Sequence, residues 1–385
     1  MKTLKKALSL FLGIFMLACG MPFSAFAAPS YWGYDSYDTI ENPGVENIIS
    51  HSTTVTKVSA TTYSFSSKTK AGTLTVTLFE RSWGMFNLGS WTLVDNDGKH
   101  VPLHEGTTDW EYVYRTRATA DSKMVYSGGN HGNEILVSLD IYNGDTEEKI
   151  NLSVGQSATA NKIHVIEKSK LLTKPDTDGD EIGFKDKNKD TYKESEVYAH
   201  VTRKYTFTGP QIKLNVDYDY LKDVYYDLSY TCMFPINKQY GLYCDMYDQA
   251  GNKIKHIETK KVGAADFSGP TYNGNAATRA HIYGYVDPRY QFNVTINTPA
   301  DSLANFENSY KTSYWDMNTT HNKLYFSKFW TDRPTKVAGG TQLHTECVWQ
   351  FVFDEDGNPH NNTDFAKPNL ARNKDYQISI TNDPV

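Results

Sequence analysis

Between Trp110 and Glu134 the chain reads WEYVYRTRATADSKMVYSGGNHGNE. Two alternating arginines lead into a loop that holds a His, two Asn and a Glu among glycines. Gly128, Gly129 and Gly132 permit positive φ or close approach to the backbone. A loop that only had to turn would not need His131 and Glu134. Read as a strand, residues 111–117 put Arg115 and Arg117 on one face with Glu111 and Val113, and Tyr112 and Tyr114 on the other with Trp110. Two such arginines form a fork for a carboxylate or sulfate. A base that titrates near neutrality, beside groups that stabilise an anion, is what removal of a proton alpha to a carboxylate requires. On a uronic-acid polymer that step is lyase β-elimination. His131 is then the expected base, Arg115 or Arg117 and Asn130 the neutralisers, and Tyr114 or Tyr126 the acid. Trp110, Tyr112 and Tyr126 offer flat faces to sugar rings. The bland alternative is an ordinary turn, with the arginines paired to surface carboxylates.

The same residues admit other chemistries. His131 and Glu134 have H-x-x-E spacing and could share a zinc ion with His104, His164, His200 or His281, although no HExxH or paired-Cys motif accompanies them. A glycoside hydrolase would need two carboxylates across a cleft, with Glu134 as one and Glu111 or Asp140 as the other. A non-catalytic carbohydrate-binding or adhesion protein would need only the aromatics. Residues 175–194 place Asp176, Asp178 and Asp180 around Gly179, and Asp186, Asn188 and Asp190 repeat the alternation. Such oxygen ligands suit calcium, but Lys187 stands where an EF-hand has its twelfth, acidic residue. The competing reading is a solvated charged loop. Further polar sets on strands could line a groove: Arg203 with Tyr205, His200 with Thr202 and Lys204, and His281 with Tyr283, followed by Arg289. There is no GxSxG, no P-loop and no GxGxxG, so serine catalysis, nucleotides and organic cofactors are not expected.

Strands must position these groups. LTVTL (74–78), ILVSLDIY (135–142) and LHTECVWQFVF (343–353) alternate apolar and polar residues, as half-buried strands do. Turn clusters such as Asp95-Asn96-Asp97-Gly98 and Asn143-Gly144-Asp145 separate them. Only Asp301–Tyr310 suggests a helix, a short one, and no internal repeat is visible. The pattern predicts an all-β fold: a large antiparallel β-sandwich of jelly-roll type. Two packed β-domains meeting near Gly209-Pro210 are the alternative. Residues 1–27 have the basic start, apolar run and Ala25-Phe26-Ala27 site of a signal peptide. Residues 28–55 follow as an N-terminal arm and 56–385 as the catalytic or binding domain. Secretion is expected, with lipoprotein anchoring at Cys19 the lesser alternative; no stretch is long enough for a strong membrane span.

The chain has 39 basic and 45 acidic residues. Losing Lys2, Lys5 and Lys6 with the signal leaves 36 and 45, or −9, which disfavours nucleic acid as a partner. The 27 tyrosines suit both strands and sugar contacts. Cys232 and Cys244 flank a predicted hairpin and could form a disulfide or stay as buried thiols. In composition, export signal and residue types the chain is similar to secreted β-sandwich polysaccharide lyases. No motif aligns, so no residue roles are carried over.

Overall fold

The computed structural model describes residues 48–174, 185, 192–248, 252–268, 277–297 and 311–359. Twenty-one strands lie among them. The first eleven are β1 (Ile48–Ser59), β2 (Thr62–Thr69), β3 (Gly72–Glu80), β4 (Phe86–Asp95), β5 (His100–His104), β6 (Val113–Arg117), β7 (Val125–Ser127), β8 (Glu134–Asn143), β9 (Ser157–Ala160), β10 (Ile163–Leu172) and β11 (Val197–Thr208). The rest are β12 (Gln211–Tyr220), β13 (Val224–Asn237), β14 (Tyr243–Tyr247), β15 (Lys253–Glu258), β16 (Ala265–Ser268), β17 (Arg279–Tyr283), β18 (Tyr290–Asn297), β19 (Lys311–Trp315), β20 (His321–Val337) and β21 (Gln342–Phe353). All named pairings are antiparallel. They build three sheets, in the orders β5-β4-β3-β2-β1-β9, β15-β14-β17-β18-β21-β12-β11-β10-β8 and β16-β19-β20-β13-β6-β7.

The expected all-β sandwich is present, with a third sheet that alternation alone could not foretell. Both six-stranded sheets lie against one face of the nine-stranded sheet. Phe65 of β2 stacks on Phe207 of β11 at 3.7 Å, and Trp91 of β4 meets Phe292 of β18. From the other small sheet, Tyr114 bonds Tyr218, and the backbone oxygen of Met233 accepts from Trp349 Nε1 at 2.9 Å. Trp91, Trp110 and Trp349 are fully buried where the three sheets meet, and aromatic residues of this size dominate core energetics. β3 shows the expected period, with Leu74, Val76 and Leu78 inward.

Several expectations are corrected. The segment read as a loose arm already contains the start of β1, which pairs with β2 and β9. Gly209-Pro210 is no domain boundary: it is the two-residue turn of the β11–β12 hairpin, closed by the Thr208–Gln211 pair. Cys232, Cys244 and Cys347 are free, buried thiols, so Cys232 and Cys244 form no disulfide. Cys232 lies on β13 and Cys244 on β14, strands of different sheets. The proposed helix at 301–310 lies outside the described residues. Among those described, no helix is long and apolar enough to cross a membrane.

Candidate functional site

The glycine-rich loop is a one-turn 3-10 helix, Gly129–His131, joining β7 to β8. Gly129 has φ 51°. A Cβ there would stand 2.5 Å from Asp109 Oδ1, so glycine is required both for conformation and for room. Asn133 holds a positive φ of 53° on the far side, and its Nδ2 donates to the Tyr126 carbonyl at 3.0 Å. The loop is thus folded around the Asp109 carboxylate.

Asp109 is the hub. Its Oδ1 accepts the Asn130 backbone N–H at 2.5 Å and lies 3.4 Å from an Arg81 nitrogen. Arg81 also donates to Asn130 Oδ1 and, through Nε, to Asn87 Oδ1 at 2.9 Å. His131 Nε2 is 3.7 Å from Asp109 Oδ2, beyond hydrogen-bond length. The imidazole stacks on Tyr126 at 4.7 Å, and its side chain is 35% exposed. Burial lowers the His131 pKa. Asp109 pulls it back up, while Lys185, Lys323 and Arg81 push it down, so the ring is a neutral acceptor at neutral pH. Arg115 lies with its guanidinium 6.0 Å from the Tyr126 ring. No carboxylate pairs with it among the described residues.

The strand geometry explains which predicted residues join this site. On β6, Val113, Arg115 and Arg117 face outward, whereas Tyr114 and Thr116 face the core. Arg117 is not half of a fork: it chelates Asp227 at 2.9 and 3.3 Å. Tyr114 cannot be the acid, because it is buried, bonded to Tyr218 and has its pKa driven well up by burial. Trp110 and Tyr112 are wholly buried and are no sugar platforms. Of the predicted set, His131, Asn130, Arg115 and Tyr126 come together.

Glu134 and Arg203 belong to a sealed network instead. Glu134 accepts from Tyr112 and from Ser169 Oγ at 2.7 Å and lies 3.8 Å from Arg203. Arg203 also contacts Glu167, and its guanidinium is 5.3 Å from the Tyr112 ring. All of these are buried. Burial alone would depress Arg203, but the carboxylates of Glu134 and Glu111 and the phenols of Tyr205 and Tyr112 outweigh it and raise the pKa. Glu111 is likewise occupied by Leu88 N–H at 2.7 Å, Tyr205 at 2.9 Å and Asn87 at 3.2 Å. The hydrolase pair of Glu134 with Glu111 is therefore corrected: both carboxylates tie sheets together, and Asp140 pairs with Lys149 at 2.6 Å. His281 is buried against Asn293 at 2.8 Å, on the face of the nine-stranded sheet away from the core. Arg289 is chelated by Asp287. Neither contacts the His131 cluster.

The zinc reading of His131 and Glu134 also fails. The first faces Asp109 and the second turns inward, and among the described residues no three ligating side chains converge. Asp176, Asp178 and Asp180, the candidate calcium ligands, lie outside the described residues. Three members of the cluster escaped the sequence reading: Arg81, Asp109 and Lys323. Asp109 directly precedes Trp110, yet nothing in its surroundings marked it. Arg81 and Lys323 reach the loop only through tertiary pairing.

No protein-family model matches the chain, and no curated protein matches it. Among solved structures it is similar to the galactosidase domain of an α-galactosidase–sucrose kinase, at 8% identity and TM-score 0.44, over 75% of this chain and 40% of that one. It is also similar to the α-galactosidase AgaB of Geobacillus stearothermophilus, at 9% identity and TM-score 0.43, over 76% and 40%. A candidate aldose 1-epimerase of Klebsiella pneumoniae gives 8% identity and TM-score 0.41, over 79% and 83%. The chain spans about two fifths of the length of the two galactosidase structures.

Proposed function

We propose that the chain is a carbohydrate-active protein that cleaves a uronic-acid polysaccharide by β-elimination, with His131 as the base. The observation that carries this reading is the half-exposed, neutral imidazole of His131, held between Asp109 and Tyr126 beside Arg115, which pairs with no carboxylate among the described residues. With Nε2 turned to Asp109, Nδ1 accepts the proton from C5 of the uronate. The electron pair left behind forms the C4–C5 double bond, the C4–oxygen bond breaks, and the leaving oxygen takes a proton from Tyr126, which replaces Tyr114 in that role. Arg115 and Asn130 stabilise the charge that develops on the carboxylate.

The test is ultraviolet absorbance of unsaturated products from a panel of uronate polymers. His131→Ala should lower the rate by about 10²–10⁴-fold, the usual worth of a general base, with the melting temperature unchanged. Unaltered cleavage in the variant would remove His131 from the mechanism. A second reading, non-catalytic sugar binding, is favoured by the half-buried aromatics Tyr126, Tyr230 and Trp315 packed around Val113, Met233 and Tyr325. Binding without unsaturated products or new reducing ends would select it.

A further inference from the structure

Among the described residues, no group contacts the buried ammonium of Lys323 as a counter-charge. It lies on β20, on the outward row that also holds His321 and Tyr325, while Asn322, Leu324 and Phe326 face the core. Lys323 is 4% exposed. Among the described residues no carboxylate comes within ion-pair distance of it. Asp109 and Glu111 act on it only through space, and Arg81 opposes them. Both carboxylates are already engaged, Asp109 by Arg81 and Asn130, Glu111 by three donors. Burying a charge without a partner is costly and needs a compensating contact. Burial lowers the ammonium only to about 8, so it stays mostly protonated at neutral pH.

The surroundings indicate what that contact is. The ammonium is 5.0 Å from the centre of the Tyr325 ring. Tyr325 packs on Tyr230 at 4.5 Å and on Trp315 at 6.4 Å. With Tyr126 these rings cross the adjacent strands β7-β6-β13-β20-β19, a strip about 19 Å wide at the usual strand spacing. Arg115 is next to Tyr126, and Lys323 is within electrostatic reach of His131. An aromatic floor with two cations free of carboxylate partners suits a chain of sugar rings that carry negative charge.

We propose that Lys323 and Arg115, which oppose Pro235 and Leu228 of β13 and so stand at opposite ends of the strip, each hold a separate carboxylate of the bound polymer and make this strip select uronate over neutral polysaccharide. The proposal takes from the preceding section only that the ligand is a polysaccharide. It needs no base at His131.

The test measures affinity of the full chain for polygalacturonate, alginate and hyaluronate, each against its carboxyl-reduced form. The expected result is about tenfold tighter binding of at least one acid form, as charge-assisted contacts supply. Lys323→Met should abolish that preference while leaving the reduced form bound as before; Lys323→Arg should keep part of it. Salt titration of the unaltered protein gives a reading independent of folding in the variants: affinity for the acid polymer should fall as salt is added, and affinity for the reduced form should not. No acid preference in the unaltered protein, a preference kept in Lys323→Met, or an acid affinity indifferent to salt would each overturn the proposal. So would binding that follows sulfate esters on a neutral galactan. If His131→Ala abolishes cleavage while Lys323→Met leaves the acid preference intact, the lyase stands and the subsite falls. If His131→Ala cleaves normally but Lys323→Met loses the preference, the reverse holds.

Discussion

Two charged clusters fed by the same stretch of chain have opposite characters in this molecule. Around Arg203, Glu134 and Glu167 every charge is buried and faces an opposite charge. Around His131, the imidazole and Tyr126 remain partly open, and among the described residues no carboxylate contacts Arg115 or Lys323. The same stretch of chain feeds both, since Tyr112 and Glu134 turn inward while Arg115, Tyr126 and His131 turn outward. Charge that is satisfied and sealed organises a core; charge that is held but unanswered is available to a ligand. On the proposed reading, the first cluster is a matter of stability and the second a matter of chemistry.

The largest effect should come from the sealed side. Arg203→Met leaves Glu134 and Glu167 buried without their cation, which costs about 3–5 kcal/mol. Urea unfolding would show it. Adding Glu134→Gln to Arg203→Met should recover part of the loss, because the two side chains act as one unit. A loss below about 1 kcal/mol would mean that the network is less closed than its geometry indicates.

Two histidines sharpen the comparison through pH. His104 is buried beside Trp110 and His321. Burial, then His321 and Lys323, lowers it to about 3. Its folded pKa lies below the unfolded value, so the unfolded state binds the proton first as pH falls. Stability is therefore full above the ordinary histidine range and declines from about pH 6.5 toward 3, by on the order of 4 kcal/mol. His104→Phe should flatten that limb in unfolding curves taken across the window. His131 is lowered for the same leading reason but stays partly exposed. Its titration should appear in the rate instead, with activity lost on acidification through a pKa below the free-imidazole value. An activity limb at or above that value would point to another base.

How much of this was legible in the sequence follows from the range of each interaction. Period-two alternation in β3 and β21 is local, so the all-β fold and the inward rows could be read directly. The loop was legible because three glycines, His131 and Glu134 stand within seven residues. What failed needed distant partners. Arg115 and Arg117 look equivalent in sequence, and only Asp227, 110 positions away, distinguishes them. Glu134 looked like a partner of His131 because the two are near in sequence. Entry into β8 turns it toward Arg203 and Ser169. Arg81 and Lys323 were invisible because each comes to the loop from elsewhere in the chain: Arg81 follows β3 and meets Asn130 49 positions later, and Lys323 arrives on β20 from the far half of the sequence. The third sheet escaped for the same reason: alternation shows that a face is buried, not which sheet covers it.

At the loop itself, Gly129→Ala should cost about 1–3 kcal/mol, combining the left-handed backbone penalty for alanine with the approach to Asp109. Thermal unfolding gives the first number. Because the added methyl pushes on the hub, cleavage should fall further than stability explains, and Asp109→Asn alone should share that loss. Full activity in a stable Gly129→Ala protein would show that Asp109 does not position His131.

The smallest stability effects separate the two arginines of β6. Arg117→Ala leaves Asp227, which is 6% exposed, without its chelating partner, and should cost about 1–3 kcal/mol, the desolvation penalty of a stranded buried group. Arg115→Ala strands no carboxylate among the described residues and should leave stability within about 0.5 kcal/mol. Its consequence belongs instead to ligand recognition, as weaker binding of the acid polymer and an unchanged affinity for the carboxyl-reduced one. Two residues apart on one strand face, these positions differ only in what lies opposite them. If Arg115→Ala destabilises as much as Arg117→Ala, its role is structural, and the division between sealed and available charge fails where it is drawn most finely.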